Sequence, residues 1–362
     1  MRVNVVGGVG VDWAVFLVDF LIHFGLLLVV ALGMNWVWGW AGLPFLGSSV
    51  PVLVGGFTVS AITSRLVYFL ASATGAGLLP WSGEGWMYNS EFNAGLAEQW
   101  LGGRPLLSVA LILLSLVLSF FLGGAAGWLV ARPGLGRGPV YVGIASYALS
   151  NLAALLGREV TWFMGGTYGI FTPSLVAFTG GAAAHVLLGL VLLVSALVLL
   201  LFRWVKASPF GRRVAAVRDN PTAASSLGLS VVAVRGWAVF LGAGAIGVAG
   251  CLFTLHRYYA FQADYGVVFW TMWPLLMVLV GGFTSDAGLV LGVLLVHGLR
   301  YLLILNRLVV GENLFFPLAY LESLELGALM IVFLLAFPRG LGSMWARLKG
   351  ETGLRRRTPD NE

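Results

Sequence analysis

The feature that most limits this chain is the repetition of apolar runs long enough to cross a lipid bilayer. A helix needs about 20 apolar residues to traverse a hydrocarbon layer ~30 Å thick. Runs of that kind fall at about 13–33, 49–71, 106–130, 139–157, 175–203, 234–256, 266–283, 287–305 and 318–337. So many in 362 residues predict an all-α, polytopic membrane helix bundle of about nine spans, with eight to ten allowed. The pair after residue 266 is either two crossings or a short re-entrant pair, because Pro274 interrupts VVFWTMWPLLMVLVGGF and another apolar run follows at once.

Composition decides against a large soluble protein. The chain is 59% hydrophobic and 10% charged, whereas soluble domains carry about 25% charged residues. Its few charges are bunched between the apolar runs, so lipid rather than water covers the remaining surface.

The basic residues predict orientation. With nine spans and the C-terminus inside, one side holds Arg132, Arg137, Arg203, Lys206, Arg212, Arg213, Arg218, Arg235, Arg339, Arg347, Lys349, Arg355, Arg356 and Arg357. The opposite side keeps the minority of the 21 basic residues. This is a positive-inside pattern, which puts the N-terminus outside and the C-terminus in the cytoplasm. Anionic lipid accounts for the net charge of +6, and no nucleic-acid partner is implied. The segment at about 72–105, with Glu84, Glu91, Glu98, Trp81, Trp86 and Trp100, suits an external loop at the headgroups. Asp12 and Asp19 flank the first run, and no basic region precedes a cleavage site, so that run is expected to stay as a span.

One membrane domain is expected over 1–340, with a cytoplasmic loop at about 204–233 and a basic tail over 341–362. The single cysteine, Cys251, excludes an internal disulfide and a CxxC site.

Enzyme chemistry is not legible. A P-loop requires G-x-x-x-x-G-K-[ST], and neither lysine, Lys206 or Lys349, follows a glycine. The glycines of LGAGAIGVAG at 241–250 lie in an apolar span and read as close helix packing. His23, His185, His256 and His297 belong to different spans, without H-E-x-x-H or a carboxylate at metal-ligand spacing. Catalytic residues, a metal and a bound cofactor are therefore not expected. Asp19 and His23, four residues apart, can pair on one helix face. Arg300 and His297 with Glu322 and Glu325 read as a structural ion pair, or alternatively as a proton relay.

The loop SPFGRRVAAVRDNPTAASSLGLSVVAVR at 208–235 carries the most local information. Its first part predicts a short helix over about 210–219; Asn220-Pro221 interrupts it, and a second short helix follows over 222–227, ended by Gly228. Two small helices bearing basic and small residues suit a groove on another protein; a plain basic connector remains the alternative.

This segment, continuing through GWAVFLGAGAIGVAG, resembles the coupling loop of the branched-chain amino acid ABC importer permeases, the LivM-like group, whose usual form is FGRALRAIRENEIAAxxLGI. ALGMNWVWGWAGLPFLG at 31–47, FMGGTYGI at 163–170 and FPRGL at 337–341 are similar to the family's ALGLNLLLGYAGLLSLG, LTGGTNGI and FPRGL. GGFTSDAGLVLG at 281–292 is a looser match. The resemblance covers roughly 20–340. The family often has Glu-Ile where this chain has Pro221-Thr222, and GHAAFFGIGAY where it has GSSVPVLVGGF.

The resemblance implies a transport subunit that imports branched-chain amino acids or similar small polar solutes. Its expected partners are a second permease subunit, two cytoplasmic ABC ATPase subunits that hold ATP and Mg2+, and an extracytoplasmic solute-binding protein. The ATPase contact would fall on Phe210, Gly211, Arg212, Arg213, Arg218, Asp219, Ala223, Ala224 and Gly228. The substrate path would run near Asn35, Gly39 and Gly42 and near Gly165, Gly166, Thr167 and Gly169. Those glycines permit irregular backbone, whose freed N–H and C=O groups suit a zwitterionic solute. Urea or short amides are alternative substrates, and an ion-coupled secondary transporter is the alternative mechanism.

Overall fold

A computed structural model describes residues 13–83, 85–283 and 285–310 and scattered positions between 324 and 335. The chain falls into two compact units, Met1–Pro274 and Leu275–Glu362. Among the described residues, seven helical stretches are long and apolar enough to cross a membrane: Trp13–Trp40, Ser49–Ala73, Pro105–Leu135, Pro139–Glu159, Ala177–Ala207, Val231–Arg257 and Gln262–Gly281. They coincide with the first seven expected spans. The eighth run is helical over Asp286–Val310. The expected span at 318–337, its Glu322 and Glu325, FPRGL and the basic tail lie outside the described residues.

In the first unit, α1 (Trp13–Met34) passes directly into a π-helical turn, Asn35–Trp40. The second span is α2 (Ser49–Phe57), a π-helical segment Thr58–Thr63, and α3 (Ser64–Ala73). Helix α4 (Ser90–Gly102) precedes α5 (Pro105–Leu135) and α6 (Pro139–Glu159). Pro105 and Pro139 stand in the first turns, where a missing N–H costs nothing. The one-turn α7 (Thr161–Met164) leads to strand β1 (Ile170–Phe171). Helix α8 (Ala183–Ala207) is followed by α9 (Pro209–Asp219), α10 (Pro221–Ser226) and α11 (Val231–Arg257). Strand β2 (Tyr259–Ala260) pairs antiparallel with β1. This two-residue ladder is the small departure from an all-α architecture among the described residues. A π-helical segment, Val268–Met272, opens the last stretch of the unit.

Helix α11 is the core: 89% of its most apolar window is buried, against 28% for α6. It packs on α5, α2 and α1. Its glycines allow this. A Cβ on Gly242 would meet Val37 at 2.3 Å and one on Gly247 the Ser119 carbonyl at 2.5 Å, so the 241–250 run serves close helix packing, as its composition suggests. Small hydroxyls tie the spans together, Ser119 Oγ donating to Gly55 O at 3.2 Å and Ser195 Oγ to Gly25 O at 3.0 Å. Leu113, Val117 and Phe121 of α5 and Leu193 and Leu197 of α8 are exposed, as lipid-facing surfaces require.

In the second unit, α12 (Trp273–Gly281, entering from the first) turns at Gly282, φ +88°, into α13 (Asp286–Val310). The two helices pack backbone to backbone: a Cβ on Gly292 would lie 2.5 Å from Met277 O. His297 of α13 is fully buried.

Candidate functional site

The predicted pair of short helices is present. Ser208 caps α9, its Oγ accepting from Gly211 N at 3.3 Å, and Asn220 caps α10, its Oδ1 accepting from Ala223 N at 3.0 Å. Pro209 and Pro221 occupy the first positions of both helices, so two N-cap-plus-proline signals divide one loop into two helices. Gly228, at φ +83°, closes the pair.

Helix α9 is amphipathic. Gly211, Val214 and Val217 are buried while Arg212, Arg213, Arg218 and Asp219 are exposed, and on α10 Ala223 is exposed while Ala224 is 3% exposed. Gly211 and Ala224, which the resemblance placed at the partner contact, are buried within the chain and shape the pair. Phe210 is half-buried, its ring 6.4 Å from that of Trp36.

The buried side of α9 is fastened to the π-helical end of α1. Trp40 Nε1 donates to Gly211 O at 3.2 Å. Arg218 donates to Gly39 O at 3.4 Å, and its guanidinium lies 5.7 Å over the Trp40 ring. Gly42, at φ +68°, lets the chain turn against Arg218, whose Cγ would lie 2.7 Å from a Cβ there. Deeper, Trp36 Nε1 donates to Ala238 O at 2.9 Å, and its ring stacks on Phe202. π-Helical insertions are uncommon and concentrate at functional sites, because they free backbone groups and weaken the local ladder. Helix α9 therefore grips a locally loosened segment of the first span.

Asn35 opens that segment. It is 2% exposed, and its Oδ1 has no hydrogen-bond partner, a costly arrangement for a buried amide. Next to it, Met34 Sδ accepts from Ser48 Oγ at 3.6 Å, and Ser48 Oγ donates to Thr271 Oγ1 at 3.1 Å within the π-helical turn before α12. Ser48 and Thr271 escape sequence reasoning, since single hydroxyls in apolar runs are ordinary.

The expected path residues do not form one pocket. Gly39 and Gly42 lie by α9 at the start of α11. Gly165, Gly166 and Gly169 lie beyond its other end, about 40 Å away for a 27-residue helix. There the three glycines adopt φ of +71°, +56° and +69°, and a Cβ on Gly169 would meet Ala260 O of β2 at 2.7 Å. The GGTYG turn is thus shaped to sit on the strand pair, and Thr167 is exposed on it. Tyr259 Oη donates to Tyr168 O in the same place.

Charge separates the two ends. Arg235, buried in the first turns of α11, donates to Leu135 O at 3.1 Å, so the end of α5, with Arg132 and then Arg137, meets the start of α11, the helix that also packs on α9 and α10. A cation there complements the C-terminal dipole of α5. At the opposite end, Asp19 pairs with His23 at 3.5 Å, as its spacing predicts, and also with His256 at 3.2 Å. The ligand atoms of these three lie within 4.8 Å of one another, a cluster that sequence spacing does not reveal because His256 is 237 residues from Asp19.

Gly211 and Gly228 make separable stability predictions. A methyl on Gly211 would lie 2.3 Å from Val205 O, so Gly211→Ala must shift α9 and is expected to cost about 1–3 kcal/mol. Gly228 has open space but a left-handed backbone, and Gly228→Ala is expected to cost about 1–2 kcal/mol. Thermal unfolding in detergent reads both. Only Gly211→Ala should also weaken the α9–α1 junction, seen as increased proteolysis of the 204–233 loop.

A family model described as the permease component of the branched-chain amino acid transport system matches residues 16–334. The chain is 28% identical over 324 residues to the probable branched-chain amino acid transport permease protein LivM of Methanocaldococcus jannaschii, covering 89% of this chain and 91% of that protein. No solved structure matches.

Proposed function

The chain belongs to the branched-chain amino acid transport permease family, a transport component and not an enzyme, and from that premise we propose that it is the membrane-path subunit of an ATP-driven importer. ATP, with Mg2+, is hydrolysed by two partner ABC subunits that seat on α9 and α10; a second permease subunit completes the pathway, and a binding protein delivers branched-chain amino acids at the far end. The observation that carries this reading is the grip of α9 on the π-helical end of α1 through Trp40, Gly211 and Arg218. A partner that moves α9 moves a segment whose backbone is already loosened and which begins at the unpartnered Asn35 amide. On this orientation the α9–α10 end, with Arg132, Arg137, Arg203 and Lys206, is cytoplasmic.

The test is leucine uptake in proteoliposomes containing the permease, its ATPases and its binding protein. Uptake is expected to require ATP, to vanish when the phosphate-binding lysine of the ATPase is replaced, and to persist when a protonophore dissipates the pH gradient. Uptake that survives without the ATPase and collapses with the proton gradient would instead establish the ion-coupled carrier, a reading favoured by one observation, the Asp19–His23–His256 cluster.

A further inference from the structure

At the end of the first unit opposite α9 and α10, a cavity of about 790 Å³ opens between α3, the 81–88 loop and α7. This lies within the size range of small-molecule sites, roughly 300–1,000 Å³. Trp81, Trp86, Met87, Tyr88 and Trp162 form most of its wall, and Arg65 is its one cationic lining residue among those described. Sequence reasoning passed over Arg65, although a charge near the end of an apolar span is itself a signal.

The cavity's charged wall is Arg65. Arg65 is half-buried, with its guanidinium 4.6 Å from the Trp86 ring centroid and 5.4 Å from that of Phe163. The aromatic contacts occupy its faces. Its edge donates one hydrogen bond, from Nη2 to Trp162 O at 2.6 Å. No described carboxylate pairs with it, and a guanidinium carries five N–H donors in a fork matched to carboxylate geometry. Beside it Trp86 is 4% exposed, and its indole Nε1–H has no partner. That N–H is itself closed off from solvent, so Trp86 lines the cavity with its ring and the charged fork supplies the donors.

We propose that this cavity receives the carboxylate of a small apolar amino acid on its way into the bundle, Arg65 holding the carboxylate while the rings of Trp81, Trp86 and Trp162 and the Met87 side chain cover the apolar part. The inference rests on the permease reading and adds to it a place and a recognition chemistry.

The test uses the full-length permease in phosphatidylcholine nanodiscs, with calorimetric titration of L-leucine, L-leucinamide and isovalerate. Leucine and isovalerate, which carry the carboxylate, are expected to bind; leucinamide, which keeps the side chain and replaces the carboxylate by a neutral amide, should bind on the order of tenfold more weakly. Arg65→Gln should weaken leucine by a similar factor and Arg65→Lys by less, while Trp86→Phe, which keeps a ring and removes only the shielded N–H, should leave leucine binding within about twofold of wild type. Equal affinity for leucine and leucinamide, or absence of leucine binding to folded wild type, overturns the proposal; these wild-type arms decide the matter even where a variant fails to fold. Displacement of leucine by phosphatidylglycerol in the disc also overturns it, by assigning the cavity to a lipid headgroup. Should the assembled importer take up leucine through Arg65→Gln at the wild-type rate, the cavity assignment fails while the importer assignment stands.

Discussion

Reversing Arg212 and Arg213 together, as Arg212→Glu with Arg213→Glu, should leave the bundle folded and inserted and lower ATP-driven leucine uptake by tenfold or more, on the order of 1.4 kcal/mol or above in coupling. Both side chains stand on the exposed face of α9, opposite buried Val214 and Val217. Within the chain, Arg212 makes one exposed hydrogen bond, to Ala207 O at 3.2 Å, and Arg213 borders a cavity beside Trp237. Exposed substitutions of this kind usually change stability by about ±0.5 kcal/mol, so the melting temperature should barely move. Arg132, Arg137, Arg203, Lys206, Arg218 and Arg235 still keep that end of the bundle basic, so the charge bias that sets insertion is retained. What the double reversal changes is the sign of the surface offered to a partner, and opposed like charges suppress docking strongly. Co-purification of the ATPase and the uptake rate are the measurements; a variant that retains both at wild-type level removes the docking role of α9. Ala224→Asp is a poor substitute. At 3% exposure its carboxylate would be buried, and lost coupling would not be distinguishable from a damaged loop.

Gly55→Ala should have the largest effect on the fold itself. An ideal Cβ at Gly55 would lie 1.8 Å from Gly247 O, and one at Gly250 1.9 Å from Val52 O. Helices α2 and α11 therefore cross with backbone against backbone, and the obstacle is main chain, which cannot rotate aside as a side chain does. Making room means separating the two helices, loosening the Ser119–Gly55 hydrogen bond at 3.2 Å along with the surrounding contacts. Overpacking ordinarily costs about 1–3 kcal/mol, and a backbone clash at the centre of the unit is expected at or beyond the top of that range. The expected result is loss of the monodisperse peak in detergent chromatography. Gly95→Ala on α4, where a Cβ meets nothing, should be neutral or stabilising by up to about 1 kcal/mol. A Gly55→Ala protein that melts with the wild type would refute the direct α2–α11 crossing.

Much of the architecture is readable locally. A bilayer span announces itself by length and apolarity, so seven expected spans correspond to seven helical stretches, with an eighth run helical as well. The α9–α10 division is equally local: Ser208-Pro209 and Asn220-Pro221 each supply a cap and a proline within two residues, and Gly228 supplies a left-handed stop. The same loop also shows where that reading ends. The family resemblance marked Gly211, Arg212, Ala223 and Ala224 alike for the partner contact, yet the tertiary structure turns Gly211 and Ala224 inward. Which side of a short helix is hidden depends on what lies beneath it.

The sequence by itself determined a membrane bundle of apolar helices, a basic end carrying two capped short helices, and no nucleotide-binding loop, because each follows from chain-local quantities: hydrophobic length, charge count, cap and turn residues. Only the tertiary structure decided that the first span ends in a π-helical turn gripped by α9, that the two sets of glycines expected along the path sit at opposite ends of α11, that His256 joins Asp19 and His23, and that Arg65 lies over the Trp86 ring at the wall of one cavity. These pairings join residues tens to hundreds of positions apart. They are selected by how side-chain shapes and glycine gaps let whole helices approach, a property of packed surfaces that no window along one chain contains.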